Sequence, residues 1–159
     1  MQMFEPLNPN YEAHLRQGFA SQRVMETIGA YLISIVPGQV EIGLAFNADL
    51  TQQHGYLHAG IITTIVGSAC GFAAYSLMPA GSGVLTVEYK VNLLAPARGE
   101  KFIATGRVIK PGRTLTVCAG EVYAMEGEAR RQIALMQATM IRLAAEEPDN
   151  KKRVPIVES

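Results

Sequence analysis

Apolar positions along the chain change period several times, and each change marks a predicted element. Tyr11, Leu15 and Phe19 recur every four residues behind Asn10, a residue type that caps helices, so a first helix is predicted to continue towards Thr27. The period then falls to two. Tyr31, Ile33 and Ile35 alternate with Leu32 and Ser34, Pro37-Gly38 supplies a turn, and Val40, Ile42, Leu44 and Phe46 alternate with Glu41, Gly43 and Ala45. That is a hairpin pattern. An apolar stretch from about Leu57 to Met78, stopped by Pro79-Ala80-Gly81, predicts a long helix buried on all sides. Four strand patterns follow, Val84–Leu94, Lys101–Ile109, Thr114–Met125 and about Arg130–Leu143. Turn residues at Pro96 to Gly99, Pro111-Gly112 and Glu126-Gly127-Glu128 separate them.

The order predicts three segments: a helical segment over 1–28, one domain over 29–145, and a polar, flexible tail over 146–159. Successive tight turns predict antiparallel pairing of the last four strands. The fold class is α+β. One face of a six-stranded antiparallel sheet needs covering, and the only fully apolar helix is there to cover it. A sheet wrapped around one long central helix follows, its other face and free edges available to a second subunit.

Composition narrows the class. The 159 residues are 48% apolar and 18% charged, with 14 basic residues offset by 14 acidic ones. That is too apolar and too neutral for a disordered chain, and it lacks the basic surplus of a nonspecific nucleic-acid binder. The 38 residues between Asp49 and Glu88 carry no Asp, Glu, Lys or Arg. Their Ile61–Met78 core reaches the edge of membrane-spanning length, but Thr63, Thr64, Gly67, Ser68, Gly71 and Ser76 interrupt it, and a soluble core helix is the expectation. The first residues lack a basic start followed by an apolar run, so a cytoplasmic location is expected. Cys70 and Cys118 lie in apolar segments without metal-like spacing and read as two buried thiols.

The segment Gln52-Gln53-His54-Gly55-Tyr56-Leu57-His58-Ala59-Gly60 stands directly before the apolar helix. The first amides of a helix have no partner inside it, and the helix dipole adds positive potential there. Small residues at Ala59 and Gly60 leave those amides open to a substrate carbonyl, as in an oxyanion hole. The same residues also make an ordinary turn.

Together with further segments, this stretch resembles the hotdog-fold acyl-CoA thioesterases of the phenylacetic-acid-degradation, PaaI-like type. The carriers are Gly55-Tyr56-Leu57-His58-Ala59-Gly60, Ser68-Ala69-Cys70-Gly71, the run Leu85 to Ala97 with Asn92-Leu93-Leu94-Ala95-Pro96, and Lys110-Pro111-Gly112-Arg113-Thr114-Leu115. They cover about Gly29 to Leu143. The resemblance implies a hotdog fold, a dimer or tetramer, and hydrolysis of an acyl- or aryl-CoA thioester with no cofactor beyond the CoA of the substrate. It implies that the Ala59 N–H, in a position usually held by glycine, receives the thioester oxygen. Gln52 positions substrate or water, His58 orients the turn and lines the pocket, the helix N-terminus at Ala59 and Gly60 polarises the thioester carbonyl, and Thr86 contacts the attacking water or the catalytic acid.

One expected group is missing. The family carries an Asp or Glu nine residues after the histidine, and here that residue is Gly67. Nine residues turn a helix by about 900° and advance it by roughly 13.5 Å, so residues 58 and 67 of one chain face opposite ways. This agrees with a site shared between two subunits, as the resemblance implies. Glu88, Asp49 and His54 are the candidate replacements; Glu88 shares its predicted strand face with Thr86 and Lys90. Their ordinary roles are a cross-strand pair, a turn and a loop. Six basic residues between Lys90 and Arg113, against Glu100 alone, suit the phosphates of CoA, with Lys110, Gly112 and Arg113 at a turn. A noncatalytic acyl-CoA binder is the second reading, because of Gly67. A hotdog hydratase or dehydratase is the third, and it lacks an acid partner for His58.

Overall fold

The computed structural model describes residues 4–144, so the tail expected over 146–159 lies outside the described residues. Two short helices, α1 (Tyr11–Ser21) and α2 (Arg23–Ile28), precede the hairpin of β1 (Ala30–Val36) and β2 (Gln39–Ala45). A single 3₁₀ turn (Ala48–Leu50) leads to the central helix α3 (Ala59–Tyr75). The strands β3 (Gly83–Leu93), β4 (Lys101–Lys110), β5 (Leu115–Glu126) and β6 (Ala129–Leu143) complete the chain. All strand pairs are antiparallel, in the order β1-β2-β4-β5-β6-β3, and α3 packs across the sheet. This is the α+β hotdog arrangement expected above.

Three local expectations need correction. The first helix breaks at Gln22, whose backbone is extended (φ −78°, ψ 94°), so that Leu15 of α1 and Met25 and Ile28 of α2 are all buried. Asn10 sits at the start of α1 without a capping side-chain bond; its own N–H donates to Asn8 Oδ1 at 3.0 Å. The central helix is shorter than Leu57–Met78. Leu57 pairs with Thr51 and donates its N–H to Ala97, which leaves helix geometry to begin after His58. At the other end Ser76 is buried, its hydroxyl accepting from the Gly38 N–H and donating to the Ala73 carbonyl, both at 2.7 Å.

The third correction concerns topology. β3 and β4 are not a hairpin: β3 pairs with β6 at the sheet edge, and β4 lies between β2 and β5. Three strand spacings of about 4.8 Å separate them, roughly 14 Å, which an extended connector of this length spans easily. The connector Leu94 to Glu100 crosses the end of the β5–β6 hairpin, with Leu94 N–H on Ile133, Leu57 N–H on Ala97 and Glu100 N–H on Met125. That crossing brings residues 93–97 to the start of α3.

The core is the concave sheet face, with Val40, Ile42, Leu44, Phe102, Ala104 and Val122 against Ile62, Ile65, Val66, Ala69 and Ala73 of α3. Glycine sets how closely helix and sheet approach. A Cβ at Gly106 would stand 2.2 Å from the Ala69 carbonyl carbon, and one at Gly120 would stand 2.4 Å from Val66 Cγ2. Cys70 and Cys118 are buried free thiols, and burial pushes Cys118 up to about 12 and Cys70 higher still. Both are therefore protonated packing groups rather than nucleophiles. Among the described residues no helix is long and apolar enough to cross a membrane.

Candidate active site

The loop before α3 is built to present one backbone amide. Thr51 pairs with Leu57, and within that closure the Gln52 N–H donates to the Tyr56 carbonyl at 2.9 Å. Gly55, at φ +79°, returns its N–H to Gln52 at 2.9 Å, a left-handed turn that glycine adopts without strain. The His54 N–H donates to Gln52 Oε1, which fixes the Gln52 side chain. His58 is anchored through its N–H to Leu50 at 2.9 Å and stands extended at the helix start (φ −61°, ψ 138°).

His58 then caps its own helix. Its Nδ1 accepts the Gly60 N–H at 2.9 Å, while its carbonyl accepts from Ile61 at 3.0 Å and Ile62 at 3.3 Å. The acceptor role leaves Nδ1 unprotonated and places the ring hydrogen of the neutral imidazole on Nε2. A Cβ at Gly60 would stand 3.0 Å from His58 Nδ1, so the imidazole would have to give by a few tenths of an ångström. The Ala59 N–H has no acceptor among the described residues. Among the described residues it is the one donor at this helix start left for a ligand, which corrects two expectations: the Gly60 N–H is taken by His58, and His58 caps the helix instead of lining the cavity beside Ala59.

Ala59 lines a cavity of about 490 Å³ with Gln52, Tyr56, Ile62, Leu94 and Ile133 among its walls. The walls are mostly aliphatic and hold no ionisable group other than the Tyr56 phenol. An apolar acyl or aryl chain fits such a lining, and the Gln52 amide and the Ala59 N–H are the polar groups that would orient it.

Gly67 and Thr86 meet elsewhere, in a second cavity of about 130 Å³ lined also by Gln22, Ser68, Gly71, Phe72, Val84, Leu85 and Met140. The eight residues from Ala59 to Gly67 advance the helix by about 12 Å, which separates the two cavities within one chain. A Cβ at Gly67 would meet nothing within 4 Å. Among the described residues no carboxylate lines this cavity. Thr86 donates its hydroxyl to Met140 Sδ at 3.4 Å.

The candidate replacement bases lie apart from it. A bulge between Thr86 and Glu88 breaks the alternation of β3, so Thr86 pairs with inward Met140 while Glu88 pairs with Thr139 on the outer face. Glu88 accepts the Thr139 hydroxyl there at 3.0 Å, and the expected shared face of Thr86 and Glu88 is thereby corrected. Asp49 belongs to the 3₁₀ turn, with its N–H on Asn47 Oδ1 at 3.0 Å, and His54 is exposed in the loop.

Gly112 and Arg113 line a third cavity, of about 340 Å³, at the far end of α3 with Met78, Thr116 and Arg142. A Cβ at Gly112 would strike the Leu115 carbonyl oxygen at 2.3 Å, so glycine is required in that turn. Lys110 is exposed at the end of β4. Arg107, counted in the basic run, is committed to Glu121 on the outer sheet face. Two polar residues escaped the sequence reading, Gln22 and Arg142. Arg142 reaches the 111–114 turn because β6 pairs with β5, the Arg142 N–H meeting the Thr114 carbonyl at 2.9 Å. Strand order is needed to see that.

Comparison with known proteins places the chain in a family. The family model described as Thioesterase superfamily matches residues 54–130, which include the start of α3. A thioesterase family protein from Silicibacter pomeroyi is 50% identical, with a TM-score of 0.83 over 84% of this chain and 98% of that one. Human acyl-coenzyme A thioesterase 13 is 31% identical over 85 residues, which are 53% of this chain and 60% of that protein's length. The PaaI protein of the phenylacetic acid degradation operon of E. coli shares the fold, with a TM-score of 0.78 at 17% identity over 87% of this chain and 97% of that one. The chain belongs to the thioesterase superfamily.

Proposed function

We propose that the protein hydrolyses an acyl- or aryl-CoA thioester in the manner of the PaaI-like branch. The observation that carries this reading is the Ala59 N–H, without an acceptor among the described residues and opening into an apolar cavity. The thioester oxygen sits on that donor, where the helix dipole adds to the hydrogen bond as negative charge develops. The acyl or aryl group lies among Ile62, Leu94 and Ile133, with Gln52 beside the reacting carbonyl. A water oxygen forms the new bond to the carbonyl carbon and the π pair moves to the oxygen at Ala59. The pair then re-forms the carbonyl, the C–S bond breaks, the thiolate takes up a proton, and the new acid releases one to solvent.

The working form is a homo-oligomer, in which β3 of one copy lies against β3 of the next. β3 is an edge strand of 11 residues with Leu85, Val87 and Tyr89 all more than half exposed. Such an edge templates strand addition unless something covers it. Leu85 and Thr86 line the Gly67 cavity from β3, so that cavity lies at the proposed seam, and in this reading the Ala59 end of the other copy completes it. Arg113 and Arg142 face the CoA phosphates from the third cavity.

Gly67 supports a second reading, a noncatalytic acyl-CoA binder, because the cavity it lines offers no general base. A hydratase role is disfavoured, since His58 Nδ1 is occupied by the Gly60 N–H. Hydrolysis of short, medium, long and aryl CoA thioesters by wild type and Gly67→Asp separates the first two. Wild-type turnover rules out the binder, with Gly67→Asp expected to add about 10²-fold or more. Turnover only in Gly67→Asp rules out the wild-type enzyme.

A further inference from the structure

Between α1 and α2 the chain leaves helical geometry at one residue, Gln22, and that residue reaches the middle of α3. Its backbone is held from both sides, its N–H on Phe19 at 3.1 Å and its carbonyl accepting from Met25 at 3.0 Å. The break turns the side chain onto Ser68, 46 residues away in sequence, with Ser68 Oγ 3.5 Å from Gln22 Oε1. That is a long hydrogen bond for a hydroxyl donor, whose good bonds measure about 2.5–3.0 Å, and the second lone pair of Gln22 Oε1 is left for another donor. Thr86 adds a third polar atom to the same cavity. Its hydroxyl hydrogen points to a weak sulfur acceptor, which leaves the oxygen lone pairs open.

The cavity of about 130 Å³ has room for a few water molecules at roughly 30 Å³ each. A water bound there needs two to four polar partners, and Gln22, Ser68 and Thr86 supply three. Gly67 lines the same cavity, and a Cβ there would meet nothing within 4 Å. The cavity also reaches the exposed Leu85 of the edge strand, where a second copy would present its thioester.

We propose that Gln22, with Ser68 and Thr86, holds the attacking water beside Gly67. This rests on the hydrolase reading above. An amide cannot take a proton, so Gln22 orients the water through its Oε1 and leaves deprotonation to the later stages. The water oxygen bonds to the carbonyl carbon, the C–S bond breaks, and the proton lost by the water reaches the departing thiolate through solvent. The products are the carboxylate, the CoA thiol and one released proton.

The test measures kcat, KM and the pH profile of wild type, Gln22→Ala and Gln22→Glu on the best CoA thioester of the panel, with thermal unfolding alongside. Gln22→Ala should lower kcat about tenfold with KM within about twofold, the effect of one lost orienting bond. Gln22→Glu should exceed wild type, approaching a 10²-fold gain, and acquire an acid limb that the wild type lacks, because a carboxylate can accept the water's proton. Wild-type turnover with Gln22→Ala unchanged in kcat overturns this proposal alone. So does a loss in Gln22→Ala that tracks unfolding, if Gln22→Glu keeps the wild-type pH profile. No wild-type turnover at all overturns the hydrolase reading and this proposal with it.

Discussion

The Nδ1 of His58 accepts the backbone N–H of Gly60 at 2.9 Å, and this bond leaves Ala59 as the amide at the start of α3 without an acceptor among the described residues. Ala59 is the first helical residue, a position where proline is tolerated because its N–H has no helical acceptor. His58 already has the extended backbone that a following proline requires. Ala59→Pro should therefore fold with a melting temperature near wild type while kcat falls about 10²–10³-fold, the loss typical of one oxyanion donor. His58→Ala should cost about 1 kcal/mol of stability as a lost cap, and His58→Asn should restore most of it. Equal kcat in Ala59→Pro and wild type would remove the amide from the mechanism.

Two glycines on facing elements should respond oppositely to alanine. At Gly106 the added carbon lands 2.2 Å from the Ala69 backbone, which cannot yield without lifting α3 off the sheet. Gly106→Ala should cost about 3 kcal/mol or leave the protein unfolded. At Gly67 the added carbon meets nothing within 4 Å. Gly67→Ala should stabilise the helix by about 0.5–1 kcal/mol, since glycine is costly in a helix interior. Urea unfolding at one temperature measures both, and a destabilised Gly67→Ala would contradict the open space seen at that position.

Periodicity carried the sheet and the central helix because both are long and their buried faces are nearly uninterrupted, as in Val40, Ile42 and Leu44. Gly55 and the small residues at 59 and 60 likewise marked the helix start. Strand order was not legible. Nothing local distinguishes a β3–β4 hairpin from a crossing connector, because the decision rests on where Ile133 and Met125 offer their carbonyls. The bulge after Thr86 hid for a similar reason: one extra residue moves Glu88 to the other face without altering the alternating pattern. Gln22 was invisible because its significance lies in Ser68, far along the chain.

The edge strand β3 makes a claim on assembly. Leu85 and Val87 are more than half exposed on a strand with no neighbour on its outer side among the described residues. If copies pair through β3 as proposed, Val87→Lys should shift the protein from dimer towards monomer in sedimentation velocity, since a charge on the edge opposes strand addition. Its hydrolytic activity should fall with the dimer fraction, because Ala59 and the Gly67–Thr86 cavity would no longer meet across two copies. A Val87→Lys monomer with full activity would place the whole site within one chain.

Glu121 supplies a prediction about pH. Burial is the largest single influence on its carboxyl and works against ionisation, but the hydrogen bonds from Arg107 and Tyr123 and the charges of Arg107 and Arg130 together outweigh it. The group is held below the ordinary glutamate value. A carboxylate depressed in the folded state stabilises the fold above its unfolded titration, and that contribution is lost as pH falls through the folded one. Wild type should therefore lose stability on acidification below the ordinary glutamate range. Glu121→Gln should be less stable than wild type at neutral pH and should lose less on the same acidification. Urea midpoints of both proteins at several pH values measure this, and parallel curves would show that the Arg107–Glu121–Tyr123 contacts on the outer face add nothing to the folded state.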